Sequence, residues 1–452
     1  MKPSDAPVDE PREGRGVRAG AVLGGVLVVL AVGVLAWRAW DAPTGAERIA
    51  VVPLHAASPR AVRAPWPHAV PAEPVAAPAS APVIVPPGHL DVCGIGVVKE
   101  SEWRAPARVE VERRSVEGLR ERVATELAAR GDESSRAVAL AVLALGWNEP
   151  APDMSCRTPD CPEARENAAA MEASWMRRNA ATQGSRDQLA RLAAGTRDPE
   201  VYAWAYGLCS MHGRDDADSH CRMLSAEQWA RLDPDNGVPW LAVADAAKQR
   251  RDTAAVTEAL HRVSVATSMQ TDFLRLSTRV VEQLSDKHPP QESFGLVAQV
   301  VGMQFAMVLP YAVASSECSV SAVRDANRLQ QCAALAENLW SRGTSAMDRA
   351  MALAIGKRVG WPAERWQTGR EELDALMRSG MLLGGEQPLS CDAITRQTQY
   401  FQRLSQGGEI DALREHMRAS GRTLDHWLRE GRKMREASMR SADAAPSVPL
   451  VR

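Results

Sequence analysis

Apolar residues recur along most of the chain at the three- and four-residue spacing of amphipathic helices. One such face carries Met347, Ala350, Met351, Ala354 and Ile355. Ser345 opens this segment at capping-box spacing from Asp348, and Gly360 and Pro362 close it, because neither of these last two residues continues a helix readily. The pattern therefore predicts one well-bounded helix in this stretch.

Start and stop signals of the same kind predict further helices. Ser225 heads a short apolar segment, and residues 127–132 and 192–198 each separate two apolar helices. Strand-like alternation is confined to residues 108–112, with no convincing partner other than residues 92–98. Because isolated strand signals do not make a sheet, we expect an all-α body.

Residues 19–37 form the longest apolar run, 19 residues without a charge. As a helix rising about 1.5 Å per residue, this run spans about 28 Å, close to the hydrocarbon core of a bilayer. Arginines precede it at positions 12, 15 and 18, and Arg38 alone follows closely. The positive-inside rule therefore predicts a single-pass signal anchor, with residues 1–18 as a cytoplasmic tail and the main domain outside.

A cleaved signal peptide is the alternative, because the small residues around Ala36 would suit a signal peptidase. Trp37 and Trp40 instead suit the lipid–water interface of an uncleaved anchor. Gly20 and Gly24 have the GxxxG spacing that lets membrane helices approach closely. A weak dimer through these two glycines is a further expectation.

Residues 41–89 have the composition of a linker. Eleven of them are proline, among Ala and Val with few charges. Proline removes a backbone donor and disfavours helix in the residue before it. In extended polyproline II geometry, at about 3.1 Å per residue, the linker would reach on the order of 150 Å. We expect a disordered spacer that holds a domain of residues 90–440 away from the membrane, with a frayed tail over residues 441–452.

Residues 230–266 begin with a turn sequence of Leu232, Asp233, Pro234, Asp235 and Asn236, and an apolar segment with an early tryptophan follows it. In this arrangement they resemble one unit of the tetratricopeptide repeat together with the turn that precedes it. Trp240 matches the early aromatic residue of the first helix, and Arg251 with Asp252 matches the break between the helices. Further packing positions are matched by Val243, Ala244, Ala247 and Leu260. The match covers 37 of 452 residues.

The resemblance implies an antiparallel helix pair within an irregular helical-hairpin repeat, a tetratricopeptide-like solenoid. Helix pairs of this kind stack because one pair cannot bury its apolar face alone. The stack presents grooves to protein or peptide ligands. The resemblance therefore also implies a binding or scaffolding module.

Composition narrows the classes of partner. The chain has 13 Trp against 4 Phe and 4 Tyr, and either core packing or exposed binding hot spots would explain this bias. A formal net charge of −2 lacks the basic excess of a dedicated nucleic-acid binder. We expect no nucleic-acid partner, and a protein or peptide partner in the envelope.

All eight cysteines lie after the predicted anchor and linker, where the predicted topology places an oxidising compartment. Loop length favours three short-range pairs and leaves the first cysteine for the last, giving Cys156–Cys161, Cys209–Cys221, Cys318–Cys332 and Cys93–Cys391. Many other pairings are possible for eight cysteines. This set is the predicted disulfide framework.

The alternatives to structural disulfides are zinc binding and redox catalysis. A zinc site is the alternative in one region, built from Cys209, His212, His220 and Cys221, since thiolate and imidazole are preferred zinc ligands. Cys156 and Cys161 have four intervening residues, not the two of a thioredoxin-like redox motif. Disulfide pairing is favoured over both alternatives.

No linear signature of catalysis occurs in the sequence. It contains no GxSxG nucleophile elbow, no HExxH and no P-loop, and no cofactor is predicted. The leading prediction is a protein-binding or scaffolding domain anchored in a bacterial inner membrane and facing the periplasm. The alternative is an envelope enzyme, for example a cell-wall hydrolase, whose site is built from scattered residues.

Overall fold

The computed structural model describes residues 84–145, 162–211, 219–271, 273–284, 288–306, 311–385 and 387–443. Within these ranges the body is all-α, as predicted, apart from one β-hairpin. The hairpin pairs β1 (His89–Val92) with β2 (Gly96–Lys99) in antiparallel register, with Leu90 opposite Val98.

Along the described part of the chain, α-helices follow the hairpin. Those up to residue 265 are α1 (Glu100–Trp103), α2 (Pro106–Ala128), α3 (Glu133–Ala144), α4 (Pro162–Gly195), α5 (Pro199–Met211), α6 (Ala226–Leu232), α7 (Gly237–Gln249) and α8 (Thr253–Val265). The later ones are α9 (Phe273–Val281), α10 (Pro290–Ala306), α11 (Tyr311–Glu317), α12 (Ala326–Arg342), α13 (Ala346–Arg358), α14 (Ala363–Met381), α15 (Cys391–Ala419) and α16 (Leu424–Asp443).

Side-chain caps explain where several helices begin. Ser345 and Asp348 form the predicted capping box at the start of α13, each side chain accepting from the backbone of the other. Ser225 caps α6 by accepting from the backbone N–H of Gln228. Such caps satisfy N–H groups that have no partner inside the helix, so the boundaries read from the sequence are the boundaries found.

Residues 108–112 lie inside α2 and not in a strand. Pro106 stands in the first turn, where its missing N–H removes no helical hydrogen bond. The helical stripe that follows is buried at Val116, Leu119, Val123 and Leu127. That stripe fixes the helix, while Val111 of the alternating segment is exposed. The strand signal at residues 92–98 belongs to the hairpin, which pairs with itself.

Helices adjacent in the chain pack together, and the pairs lie side by side. One continuous layer runs from α7 to α8, from α8 to α12, from α12 to α13 and from α13 to α14. The helices α9 and α10 pack on α15, while α16 packs on α14. The layer leaves one face of α8 and of α12 open, and this face carries the groove described below.

Two large apolar clusters form the core. The first is built from residues of α2 to α13 and includes Trp204, Trp229, Leu241 and Leu260. The second lies under α13 to α16 and includes Tyr400, Phe401, Leu413 and Trp427. A third, smaller cluster attaches the hairpin to α10 and α15 through Val92, Cys93, Phe294, Leu389 and Ile394.

Gly408 breaks α15 in its middle. Its φ of 81° and ψ of −179° are not helical, and a Cβ at this position would lie 2.9 Å from the carbonyl oxygen of Thr344. Ile410 then donates its backbone N–H to that same carbonyl at 3.1 Å. The break therefore lets α15 close against the turn before α13, which requires glycine.

The predicted domain bounds, residues 90 and 440, lie close to the start of β1 and the end of α16. The strand β1 begins one residue before position 90, and α16 runs to Asp443, inside the predicted tail 441–452. Among the described residues no helix has both the length and the apolar character to cross a membrane. The predicted tail 1–18, the anchor 19–37 and most of the linker 41–89 lie outside the described residues.

Candidate functional site

The segment with repeat-like sequence forms a helix pair, α7 and α8, joined by a short turn. The predicted packing residues Val243, Ala244, Ala247 and Leu260 are buried between these helices and their neighbours. Leu232 is half-buried, Pro234 is exposed, and Trp240 donates its indole N–H to the Pro234 carbonyl at 2.9 Å. Small residues at the contact let the two helix backbones approach closely.

Asn236 ties the two ends of this pair together. Its Oδ1 accepts from the backbone N–H of Val238 at 3.2 Å, which caps α7, and from that of Gln270 at 3.0 Å. Its Nδ2 donates to Asp233 at 2.8 Å and to the carbonyl of Gln270 at 2.9 Å. The side chain is 1% exposed, so this buried amide has all its polar atoms satisfied and closes the chain after α8 onto the start of α7.

An open groove of about 910 Å³ lies between α8 and α12. The α8 side is lined by Thr253, Ala254, Thr257, Glu258, His261, Ser264 and Val265. The α12 side is lined by Asp325, Asn327, Arg328, Gln330, Gln331 and Ala334. Six of these thirteen side chains carry a hydroxyl or a carboxamide, groups that both donate and accept hydrogen bonds. We call this surface the α8–α12 groove.

Some of the groove residues hold its two walls together. Gln331 donates across the groove to the carbonyl of Thr257 at 2.7 Å, and Arg328 donates to the Thr257 hydroxyl at 3.2 Å. Deeper in the contact, Asn338 donates to the carbonyl of Val263 at 2.6 Å. These bonds fix the spacing of α8 and α12, so the groove is a permanent feature of the fold and not a gap between loosely attached helices.

Other groove residues keep their hydrogen-bonding groups available. The side chains of Asn327, Gln330 and His261 are exposed and make no hydrogen bond within the described part of the chain. They lie on both walls, since His261 belongs to α8 and the other two to α12. The groove therefore offers a ligand several neutral donors and acceptors over a rigid base.

A second, smaller groove of about 470 Å³ lies between α2, α3 and α4. It is lined by Glu121, Ala124, Thr125, Ala128, Arg136, Ala139, Leu140, Leu143 and Gln188. Its base is made mostly of methyl groups and leucine side chains, and its polar groups stand at the rim. It has fewer hydrogen-bonding groups for a ligand than the α8–α12 groove has.

Most described tryptophans serve packing. Trp340 and Trp361 meet edge to face with ring centroids 6.0 Å apart, and cations lie over the faces of the half-buried tryptophans, with Arg349 over Trp340, Arg365 over Trp361 and Lys357 over Trp366. Because their faces are covered, these rings join α12, α13 and α14. Trp175 on α4 is 40% exposed and keeps the hot-spot explanation open for that position.

Three of the four proposed disulfides are present in the structure. They join Cys93 to Cys391, Cys209 to Cys221 and Cys318 to Cys332. The first spans 298 residues and fastens the hairpin to α15, where Cys93 also donates its N–H to the Leu389 carbonyl at 2.9 Å. The pair Cys156–Cys161 lies outside the described residues.

The disulfide between Cys209 and Cys221 removes both thiolates from the zinc alternative. A sulfur in a disulfide is not an anionic ligand, so two of the four candidate ligands are gone. The Nδ1 of His220 lies 3.8 Å from the carboxylate of Asp187. The other candidate ligand, His212, lies outside the described residues. No group of three or more potential metal ligands occurs among the residues described.

Two buried carboxyls lie where α13 meets the break in α15. Asp348 accepts from the Tyr311 hydroxyl and from the backbone N–H of Ser345 at 2.9 Å. Glu409 accepts from the backbone N–H of Ala346 at 2.7 Å. Burial raises the pKa of Glu409 to about 7, and the nearby charge of Asp348 adds to the rise. Neither carboxyl lines a groove described above.

The α8–α12 groove was not predicted from the sequence. Its walls come from segments about sixty residues apart, so no local motif could report it. The available signal was the set of polar residues on either side of Leu329 in α12, at positions 327, 328, 330 and 331. A scan against protein-family models, a search of curated proteins and a search of solved structures each found no match to this chain.

Proposed function

We propose that this chain is a membrane-anchored, envelope-facing helical-repeat domain that binds an extended peptide segment of another protein in the α8–α12 groove. The observation that carries the proposal is the groove itself, which is open, about 910 Å³ in volume and lined by hydroxyl and carboxamide side chains together with charged and apolar ones. An extended peptide presents unpaired N–H and C=O groups along its length, and such side chains complement both.

The repeat architecture supports the same function. The pair α7–α8 packs on α12, and α12 pairs with α13, an arrangement similar to stacked hairpins of the tetratricopeptide kind. In our proposal this is an irregular tetratricopeptide-like solenoid. Stacked hairpins display rigid grooves between helices, and rigid grooves lower the ordering cost of binding a flexible partner.

The proposed location rests on topology and on disulfides. Residues 19–37 have the length and charge asymmetry of an anchor, and the proline-rich residues 41–89 would extend the domain from the membrane. Disulfides persist in the periplasm and not in the cytosol, and the described part of the chain contains three. A weak dimer through Gly20 and Gly24 would double the number of grooves per assembly.

The enzyme alternative receives less support from the same surface. A hydrolase needs an acid or base within reach of a bound substrate, and neither groove is lined by any of the described carboxyls with a raised pKa, which are Glu112, Asp348, Asp374 and Glu409. The α8–α12 groove has Glu258 and Asp325 at its rim, and these are charges of an ordinary helix surface.

Peptide selection tests the proposal. A displayed library of random peptides is selected on the full-length protein, and the affinities of enriched peptides are measured by fluorescence anisotropy. The double variant Asn327→Ala/Gln330→Ala removes the available carboxamides of α12. We expect it to bind at least about fivefold more weakly, because two side-chain hydrogen bonds contribute about 1–3 kcal/mol together.

A matched control separates the groove from the rest of the surface. Gln249→Ala/Gln367→Ala removes two exposed carboxamides outside the groove, and the selected peptides should bind this variant as they bind the wild-type protein. Failure to enrich any peptide, or equal losses in both double variants, would reject the α8–α12 groove as the binding site.

A further inference from the structure

The outer edge of β1 in the hairpin is covered. Glu100 donates its backbone N–H to the carbonyl of Gly88 at 2.8 Å, so the backbone groups of every second residue from this pair point inward, between the strands. The groups of Asp91 therefore point outward, and its N–H donates to Oε1 of Gln387 at 2.9 Å. The residue after β1 donates in the same direction to the carbonyl of Leu389 at 2.9 Å. The segment before α15 thus covers this edge.

The outer edge of β2 is open. Val97 lies opposite Asp91, and Lys99 lies opposite His89, so these two residues of β2 also point their backbone groups outward. The N–H and carbonyl of Val97 and the N–H of Lys99 make no hydrogen bond to another element among the described residues. The strand β2 packs against β1 and against α1, which continues the chain beyond its end.

Exposed apolar side chains accompany these unpaired groups. Val97 is 40% exposed, and Ile95, two residues before it, is 49% exposed. The charged residue of β2 is Lys99 at its end, which lies 3.3 Å from the carboxylate of Glu102. Monomeric proteins commonly protect a free strand edge with charges, proline or a covering segment. An edge with unpaired main-chain groups and exposed apolar side chains is instead typical of strands that pair with another chain.

The edge is complementary to itself, which selects a second copy of this chain as the occupant. When Val97 lies antiparallel to Val97 of the second copy, each valine can donate its N–H to the carbonyl of the other. The same register places Lys99 opposite Ile95 of the second copy, where the aliphatic stem of the lysine can cover the exposed isoleucine. The arrangement has two-fold symmetry and therefore closes at two copies.

The position of the hairpin in the chain favours the same occupant. Residues 1–83 precede the described part of the chain and lead into β1. With residues 19–37 as the proposed anchor, every copy holds its hairpin at the end of its tether in one membrane. A strand of four residues pairs weakly by itself, and a shared membrane raises the effective concentration of the second copy. This step rests on the proposed anchor, whereas the pairing of main-chain groups does not.

We propose that the open edge of β2 joins two copies of this chain in an antiparallel, four-stranded sheet. The two β2 strands lie at its centre, with Val97 at the two-fold axis, and each β1 lies outside. The α8–α12 groove is built from other elements, and peptide binding there is not needed for this pairing.

Chemical crosslinking of the full-length protein in phospholipid vesicles tests the proposal. Disuccinimidyl suberate joins lysine amines, and the proposed register places the two Lys99 Cα atoms about 14 Å apart, within its reach. Mass spectrometry should find the Lys99 peptide joined to an identical peptide, which requires two chains. Lys433 on α16 has a side chain that is 70% exposed and should form no such identical pair.

A charge at the centre of the interface tests the register. Val97→Glu places two carboxylates opposite each other and should lower the yield of the Lys99–Lys99 crosslink at least about fivefold. The control Val111→Glu makes the same change at an exposed valine of α2 and should leave the yield unchanged. Mixing Val97→Glu with Val97→Arg should restore the crosslink by pairing opposite charges, which misfolded variants could not do.

Vesicle flotation distinguishes failure of the pairing from failure of the anchor. Protein that does not float with the vesicles contradicts the anchor, and its crosslinks are then measured in concentrated solution. Absence of the Lys99–Lys99 crosslink, equal yields in Val97→Glu and Val111→Glu, or no restoration in the mixture overturns the proposed pairing.

Discussion

At the scale of single residues, burial decides the chemistry of Glu409. This carboxyl lies 7% exposed against the start of α13, and its pKa rises from an ordinary 4.5 to about 7. The folded protein therefore keeps the proton up to about pH 7, whereas the unfolded chain releases it near 4.5. Because the folded state binds more protons in this window, its stability falls as pH rises through it.

The substitution Glu409→Gln should remove most of this penalty. The amide oxygen can still accept from Ala346, and no charge has to be buried. We expect the variant to exceed the wild-type protein by about 1–3 kcal/mol in free energy of unfolding at pH 8, and to match it near pH 4. Urea unfolding at both pH values measures the difference.

The control for this prediction is Glu364→Gln, which makes the same change at an exposed carboxyl.

Burial also raises the pKa of Asp374 to about 6, in spite of its neighbours Arg370 and Arg435. Some pH dependence in the same direction should therefore remain in Glu409→Gln. A variant that is less stable than wild type at pH 8 would contradict our account of Glu409.

Gly356 has no side chain, and this allows the ring of Trp361 to pack against α13. A Cβ at this position of α13 would overlap the ring of Trp361, so the indole lies directly on the helix backbone. Gly356→Ala should destabilise the protein by about 1–3 kcal/mol, because the ring must move from a packed position. Gly184→Ala on α4, where nothing lies within 4 Å, should be neutral or stabilise by up to about 1 kcal/mol. In thermal unfolding, the midpoint temperature should fall for Gly356→Ala and should stay equal or rise for Gly184→Ala.

At the scale of elements, Asn236 shows how one side chain joins two helices. It caps α7 and also satisfies both the N–H and the carbonyl of Gln270. Asn236→Ala should cost about 2–4 kcal/mol, since a cap is lost and buried groups are left unpaired. Asp325→Ala on α12 removes an exposed cap to Arg328 and should cost about 1 kcal/mol. Equal losses in chemical denaturation would show that Asn236 acts as a cap alone.

The sequence predicted those elements whose limits are set by local chemistry. Ser345 and Ser225 marked helix starts because their side chains satisfy N–H groups a few residues away. At residues 108–112 the local alternation does not decide the structure, because four later apolar residues place the segment in a helix, in agreement with the expected all-α body. The sequence did not predict the break at Gly408, whose cause is the distant carbonyl of Thr344.

At the scale of the whole molecule, the Cys93–Cys391 disulfide should contribute the most stability of the three described. It closes 298 residues, against 14 for Cys318–Cys332. Replacing both partners by alanine should cost about 5 kcal/mol for the long link and about 3 kcal/mol for the short one, because a longer loop loses more entropy when closed. Urea unfolding of the two double variants compares them, and a larger loss for Cys318–Cys332 would contradict this ranking.

Part of the candidate site could be predicted from the sequence and part could not. The packing residues of α7 and α8 could be selected because their spacing is local. The α8–α12 groove could not, because Thr257 and Gln331 become neighbours only when α12 packs on α8. The proposed class of function, a peptide-binding helical domain, was inferred from the sequence, while the groove that we propose as its binding surface is formed only in the tertiary structure.

Site-specific photo-crosslinking in the native cells tests the central claim most directly. The photoreactive residue p-benzoylphenylalanine replaces Gln330 in the α8–α12 groove or, as a control, exposed Gln367 on α14. Our account predicts that Gln330 yields an adduct that mass spectrometry maps to one short segment of one partner protein, while Gln367 does not. No adduct at Gln330, or the same adducts at both positions, would contradict the proposal that this groove binds a peptide.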